Sequence, residues 1–207
     1  LATLKAFSKY AQYRYPDTIT NCVDIITMRP KKQEKPLVAY LSEEELSVLL
    51  KQPNPMILHE LRDLALMSLL YDTGARVQEL VDLTLGDIRL AHPAMVILTG
   101  KGQKSRQIPL MKETCRLMDR YISPKETPLF YNRDKKPLTR YGVTYILKKY
   151  AKKADAALNS KNISPHVLRH TKAMHLLRAG VNMIYIRDFL GHVEITTTEV
   201  YARIDAE

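Results

Sequence analysis

"SPHVLRH", Ser164 to His170, places two histidines and an arginine at the opening of one helix. Ser164 reads as the N-cap and Pro165 as the first helical residue: serine accepts from an orphan backbone N–H, and proline has no N–H to orphan. Helical spacing then draws His166, Arg169 and His170 toward that end. A helix start already presents outward N–H groups and favours anions. A cation and hydrogen-bonding imidazoles added there point to a phosphate, and the rest of the chain has to supply the other groups.

C-terminal to this stretch, the helix Ser164–Ala179 stops at Gly180. A further helix, Asn182–Leu190, stops at Gly191, and a last amphipathic piece contains Tyr201. N-terminal to it, helical patterns cover Arg140–Ala157 and Met111–Tyr121. Before those the period changes. Asp87–Leu90, Met95–Leu98 and Ser105–Pro109 read as three strands joined by AHPA and by the glycine-flanked turn GKGQK. Earlier still, Ser42-Glu43-Glu44-Glu45 is a capping box heading a helix with Leu46, Leu49 and Leu50. A longer helix, Ile57 to Tyr71, is expected to end at Gly74, and Val77, Leu80 and Val81 begin a short one. The fold class expected is α+β, mostly α: a helical domain carrying a small three-stranded antiparallel sheet.

The body begins after a polar, proline-bracketed run, RPKKQEKP, which reads as an extended linker over residues 29–36. Residues 37–207 form the main domain. The chain opens on Leu1 inside a helical pattern whose apolar face (Leu1, Leu4, Phe7, Tyr10, Ala11) has no partner nearby. Residues 1–28 are therefore expected to be the remnant of a preceding domain, its last helix, in a longer protein.

Lys and Arg number 32 against 22 Asp and Glu, a formal charge of +10 in 207 residues. That excess suits a polyanion, nucleic acid ahead of an acidic membrane surface. No apolar run reaches the length of a membrane span. Two cysteines are too few for a disulfide framework and fit a reducing cytoplasm.

Several chemistries are excluded. His166 and His170 stand four apart, as in a metalloprotease helix, but Val167 and Leu168 occupy the intervening place where the catalytic Glu would be. GKGQKS is a turn between strands, not a phosphate loop opening a helix. No acidic cluster suits a two-metal nuclease, and no serine or cysteine hydrolase motif is present. A DNA-breaking enzyme of this composition has to work without a metal. It needs cations on the non-bridging oxygens, an in-line nucleophile and an acid for the leaving oxygen. Arg76 and Arg169 suit the first task, because a guanidinium fork holds two oxygens and stays charged. Lys101 at the hairpin tip, His192 after Gly191 and Tyr201 complete the available set.

TGARVQELVDL, GKGQKSRQIPL, SPHVLRHTKAMHLLRAG and LGHVEITTTEVYARI, in this order, resemble the tyrosine recombinase (phage integrase) family, with the nearest likeness to bacterial Xer-type and transposon integrases. The resemblance runs from about Leu41 to Asp205. It implies a helical catalytic domain with a small sheet, residues 1–28 as the end of a core-DNA-binding domain, and no cofactor or metal. It implies that Arg76 and Arg169 clamp the scissile phosphate, Lys101 protonates the 5′-oxygen, and His166 hydrogen-bonds the phosphate or takes the nucleophile's proton. His192 would brace the phosphate, and Tyr201 would attack to leave a 3′-phosphotyrosyl bond. The partner implied is double-stranded DNA with inverted-repeat sites, on which a fragment monomeric in solution assembles as a tetramer, in the cytoplasm of a bacterium at its nucleoid.

Taken singly, each residue has an ordinary reading. Arg76 alone is a surface arginine paired with Glu79; Lys101 is a turn lysine; His166 and His192 sit at helix ends; Tyr201 is one of twelve tyrosines. His170 reads as a packing residue. Outside the catalytic set, Lys104 and Arg106 beside the hairpin tip are expected to touch DNA phosphates. Thr139 and Arg140 open a helix that, by the resemblance, enters the major groove, with Arg140 reaching a base edge or phosphate. Lys148, Lys149, Lys152 and Lys153 crowd the other end of that helix, where they suit a solvated face. Two further readings stay open: a type IB topoisomerase-like enzyme that relaxes DNA, and a DNA-binding protein without catalysis.

Overall fold

The structure is a computed structural model that describes residues 1–29, 39–100, 102–122 and 128–191. The chain divides into two compact units, Leu1–Pro36 and Leu37–Glu207. In the first, α1 (Ala2–Arg14) leads through a 3-10 turn (Pro16–Thr18) into α2 (Ile19–Thr27), and the two helices pack together around Ser8, Ala11 and Cys22. A second helix here was not expected. Pro16 stops the first helical pattern and then serves at the first position of the turn that starts the next.

In the second unit the capping box forms as read. The Ser42 hydroxyl accepts from the Glu45 N–H, and the Glu45 carboxylate accepts from the Ser42 N–H, heading α3 (Glu43–Leu50). α4 (Leu58–Thr73) is the central helix. Leu61, Ala65, Leu66, Met67, Leu69 and Leu70 are all buried along it, and it packs against α6 (Lys112–Tyr121) and α9 (Pro165–Arg178). Its interior burial on nearly all sides is that of a helix surrounded by others rather than one facing water.

α5 (Val77–Val81) follows one short turn after α4 and leads to the sheet: β1 (Ile88–Arg89), β2 (Met95–Thr99) and β3 (Ser105–Pro109), antiparallel in the order β1-β2-β3. Val96 pairs with Ile108 and Leu98 with Arg106 across the β2–β3 hairpin. Val96, Leu98 and Ile108 are buried. Arg106 shares the Ile108 face, because side chains two apart on a strand point the same way.

The expected helix Arg140–Ala157 is two helices, α7 (Arg140–Ala154) and α8 (Ala156–Ser160). Asp155 breaks it: its backbone is extended, and its carboxylate accepts from the Leu158 N–H, so the side chain caps a new helix in place of continuing the old. α9 and α10 (Met183–Leu190) then pack on each other.

Candidate active site

α9 starts as its sequence dictates, with the Ser164 hydroxyl accepting from the Val167 N–H and Pro165 at the first position. His166 is exposed on that first turn. Arg169 is not: it is 4% exposed, and its guanidinium donates to the Gly74 carbonyl at 2.6 Å and to the Leu190 carbonyl at 2.7 Å. Gly74 ends α4 and Leu190 is the last residue of α10. Both helices close on a left-handed glycine, Gly74 at φ +56° and Gly191 at φ +66°. Such ends leave carbonyls unpaired at the negative pole of the helix, where a buried guanidinium is well matched. The approach is close enough to require glycine on a second ground, since a Cβ on Gly74 would lie 2.8 Å from Leu190 Cδ2.

Two residues beyond Gly74, Arg76 caps α5 from an extended backbone. Its N–H donates to Glu79 Oε2, its Nη1 donates to Glu79 Oε1, and its Nη2 donates to the Gly191 carbonyl, each at 2.9 Å. Arg106 arrives from β3. Its Nη1 and Nη2 donate to the two oxygens of Glu79 at 3.0 and 2.7 Å, and its Nε donates to the Phe189 carbonyl at 3.0 Å. The carbonyls of Phe189, Leu190 and Gly191, consecutive at the end of α10, thus accept from Arg106, Arg169 and Arg76 in turn. Three arginines from three segments distant in sequence converge on one helix end.

Glu79 is the anion at their centre and is only 5% exposed. Burial alone would raise its carboxyl, but the hydrogen bonds from Arg106 and from the Arg76 backbone outweigh it and bring the pKa down to about 2. The side chain of Arg76 remains 41% exposed, against 14% for Arg106. Arg76 is therefore the guanidinium of the group with a face open to a ligand. One turn along α9, burial pushes His170 down to a pKa of about 4, assisted by the charges of His166 and Arg169, so it is neutral at pH 7.

Of the residues expected in the catalytic set, Arg76 and Arg169 are brought to the same helix end and His166 lies one turn before Arg169 on α9. Lys101, His192 and Tyr201 lie outside the described residues. The described neighbours of Lys101 and His192, Gly100 and Gly191, reach this place. A Cβ on Gly100 would stand 3.0 Å from Glu79 Oε1 and 3.9 Å from Arg76 Nη1, and Gly191 holds the Arg76 bond. Among the described residues, no group of three or more His, Cys, Asp or Glu is placed to hold a metal ion.

Arg106, expected at a DNA phosphate beside the hairpin tip, is part-buried. Its strand phase turns it inward beside Ile108, and Glu79 and the end of α10 occupy its guanidinium. Lys104 and Arg140 are exposed. Thr139 is exposed too, but its hydroxyl accepts from the Gly142 N–H as the cap of α7. Glu79 was seen in the sequence only as a surface partner for Arg76. The signal for more was the second cation, Arg106, in phase with a buried isoleucine.

The sequence profile of the phage integrase family matches residues 39–207. Tyrosine recombinase XerD of Neisseria meningitidis serogroup B is 34% identical over 186 residues, covering 86% of this chain and 62% of that protein. The chain thus spans less than two thirds of that relative's length. The crystal structure of XerA recombinase superposes with a TM-score of 0.71 at 28% identity, over 93% of this chain and 71% of that one. A post-cleavage complex of the XerH site-specific recombinase with palindromic difH substrate gives 0.70 at 25% identity, over 82% of this chain and 50% of that one.

Proposed function

The chain belongs to the phage integrase family, and from that premise we propose that it is the catalytic part of a site-specific DNA recombinase, with residues 1–28 the end of a preceding DNA-binding domain and 29–36 the linker. The supporting observation is the convergence of Arg76 and Arg169 on the end of α10, directly before His192, with Gly100, directly before Lys101, against the Arg76–Glu79 pair.

The reaction runs without metal or nucleotide. Arg76 and Arg169 stabilise the charge that builds on the non-bridging oxygens of the scissile phosphate. The Tyr201 oxygen attacks phosphorus in line, the bond to the 5′-oxygen breaks, and Lys101 gives that oxygen a proton. The products are a 3′-phosphotyrosyl ester and a free 5′-hydroxyl. A free phenol has a pKa of about 10, so attack near neutrality needs this cationic surrounding and a proton acceptor, the part given to His166. His170, neutral at pH 7, follows one turn later on α9. His192 braces the phosphate. The ester conserves the bond energy, and a 5′-hydroxyl of a second strand reverses the step.

Lys104 and Arg140 serve DNA contact: Lys104 at the backbone beside the hairpin tip, Arg140 at a base edge or phosphate from the start of α7. Thr139 positions that helix start. The substrate is duplex DNA with inverted-repeat sites on which the protein, monomeric in solution, assembles as a tetramer, in the bacterial cytoplasm. Among the described residues no helix is long and apolar enough to cross a membrane.

The test is a nicked duplex bearing a site selected by this chain from a random DNA library. The wild type is expected to accumulate a covalent adduct resistant to denaturation. Tyr201→Phe is expected to bind the duplex and form none. An equal yield of adduct from that variant removes Tyr201 as nucleophile. Relaxation of supercoils without exchange between two sites turns the reading to a topoisomerase.

A further inference from the structure

We propose that Arg106 is a positioning residue for the cleavage reaction: by neutralising Glu79 it leaves the charge of Arg76 for the scissile phosphate. The inference rests on the recombinase reading above and assigns a part that phosphate contact does not explain. The argument begins with a charge count. Around the end of α10 stand one carboxylate, Glu79, and two arginines that both bond it. Arg106 meets it with both Nη atoms, one on each oxygen, the fork geometry that gives the strongest such pair. Arg76 reaches the same carboxylate through Nη1 alone and through its backbone N–H. With Arg106 present the trio carries one net positive charge, and the exposed guanidinium of Arg76 expresses it. Without Arg106, Arg76 and Glu79 make a neutral pair, and no net positive charge of the trio is left for the phosphate.

The backbone around Arg106 shows that its place is built. A Cβ on Gly191 would lie 3.0 Å from Arg106 Nη1 and 3.3 Å from its Cδ and Cζ, so the guanidinium lies against a residue with no side chain. Its Nε donates to the Phe189 carbonyl, one and two residues before the carbonyls that Arg169 and Arg76 hold. Arg106 therefore fixes both the charge of the carboxylate and the helix end that precedes His192. The residue also lies in phase with Ile108 and pairs with Leu98 across the hairpin, so this location is dictated by the strand itself.

Arg106→Met is expected to slow single-turnover cleavage of saturating DNA by about 10- to 100-fold, less than the roughly 100- to 1000-fold for a donor that touches the oxyanion, because Arg106 acts through Arg76. Its DNA affinity and the salt dependence of that affinity stay unchanged, because no phosphate contact is lost. Two readouts separate positioning from a merely structural role. On a duplex whose scissile phosphate is replaced by an uncharged methylphosphonate, the deficit shrinks to about threefold or less, since a neutral centre no longer needs the missing charge. Adding Glu79→Gln to Arg106→Met recovers part of the rate on the natural diester, because the carboxylate that cancels the Arg76 charge is gone. Where Arg106→Met does not fold, Arg106→Lys keeps one cation against Glu79 and shows a smaller loss with the same dependence on phosphate charge. An equal deficit on diester and methylphosphonate, or weaker binding with a shallower salt slope, overturns the proposal. A wild type that forms no adduct on either duplex instead fails the recombinase reading itself.

Discussion

The cations around the end of α10 and those along α7 are the same residue types put to opposite use. At α10, Arg76, Arg106 and Arg169 have their donors directed at named acceptors, and a buried glutamate cancels part of their charge. On α7, a helix with no acidic residue between Thr139 and Ala154, Lys149 pairs with Asp63 and Lys153 donates to the Gln52 carbonyl, while Arg140, Lys148 and Lys152 are exposed. Tyr141 and Tyr145 stand between them at 86% and 70% exposure. Arg106 and Arg169 are largely desolvated and Arg76 keeps one open face; Arg140, Lys148 and Lys152 are exposed, and their field is screened within about 8–10 Å at physiological ionic strength. Position-dependent chemistry needs the first kind. Attraction to a polyanion needs only the second.

The largest expected effect follows from removing the most buried member of the first group. Arg169→Met strips the guanidinium donors from the Gly74 and Leu190 carbonyls, at the ends of two core helices. A buried acceptor left without a partner costs about 1–3 kcal/mol, so the variant is expected to lose about 2–5 kcal/mol in denaturant unfolding, along with adduct formation. A loss below about 1 kcal/mol would show that these helix ends hold without it.

Glu79→Gln comes next, and its signature is in pH. The folded carboxyl lies at about 2 against an ordinary 4.5, held there by Arg106 and Arg76 against its own burial. A depressed carboxylate stabilises the fold at pH above its unfolded value and loses that contribution as pH falls through its folded one. The gap corresponds to about 3 kcal/mol, present above about pH 4.5 and fading toward pH 2. Wild type and Glu79→Gln are therefore expected to differ in urea midpoint at neutral pH and to converge near pH 2. A constant difference across that window would mean the carboxylate charge is not what Glu79 supplies.

How much of this was legible in the sequence divides along the same line. Local signals carried the elements: Ser42 and Glu45 for α3, Gly74 and Gly191 as helix ends, alternation through Val96, Leu98 and Ile108 for the hairpin. The α7 face was legible as well, because exposed cations on a helix follow from spacing alone. The arginine cluster was visible only as a list of candidates. Its bonds join Glu79 to Arg106, Arg76 to Gly191 and Arg106 to Phe189, pairs that only the tertiary fold brings together. The inward turn of Arg106 was hidden for one local reason besides. It sits near a hairpin tip, where exposure is the usual state, yet the two-residue period already placed it with Ile108. Asp155 was missed inside a helical pattern because a side chain that caps a new helix looks, in sequence, like one more polar position.

The smallest expected effect is also the sharpest test of the contrast. Lys148 and Lys152 are exposed on α7, so replacing both with Gln is expected to change stability by no more than about 0.5 kcal/mol. On the recombinase reading proposed above, their part in DNA binding is a long-range attraction. The double variant should bind several-fold more weakly at 50 mM salt and approach the wild type at about 300 mM, because screening removes in the parent what mutation removes in the variant. Cleavage of saturating DNA should be untouched. If the binding deficit persists at high salt, or the cleavage rate falls at saturation, then α7 lysines are directed at fixed phosphates as the α10 arginines are directed at carbonyls. The molecule would then have one cationic surface in place of two kinds.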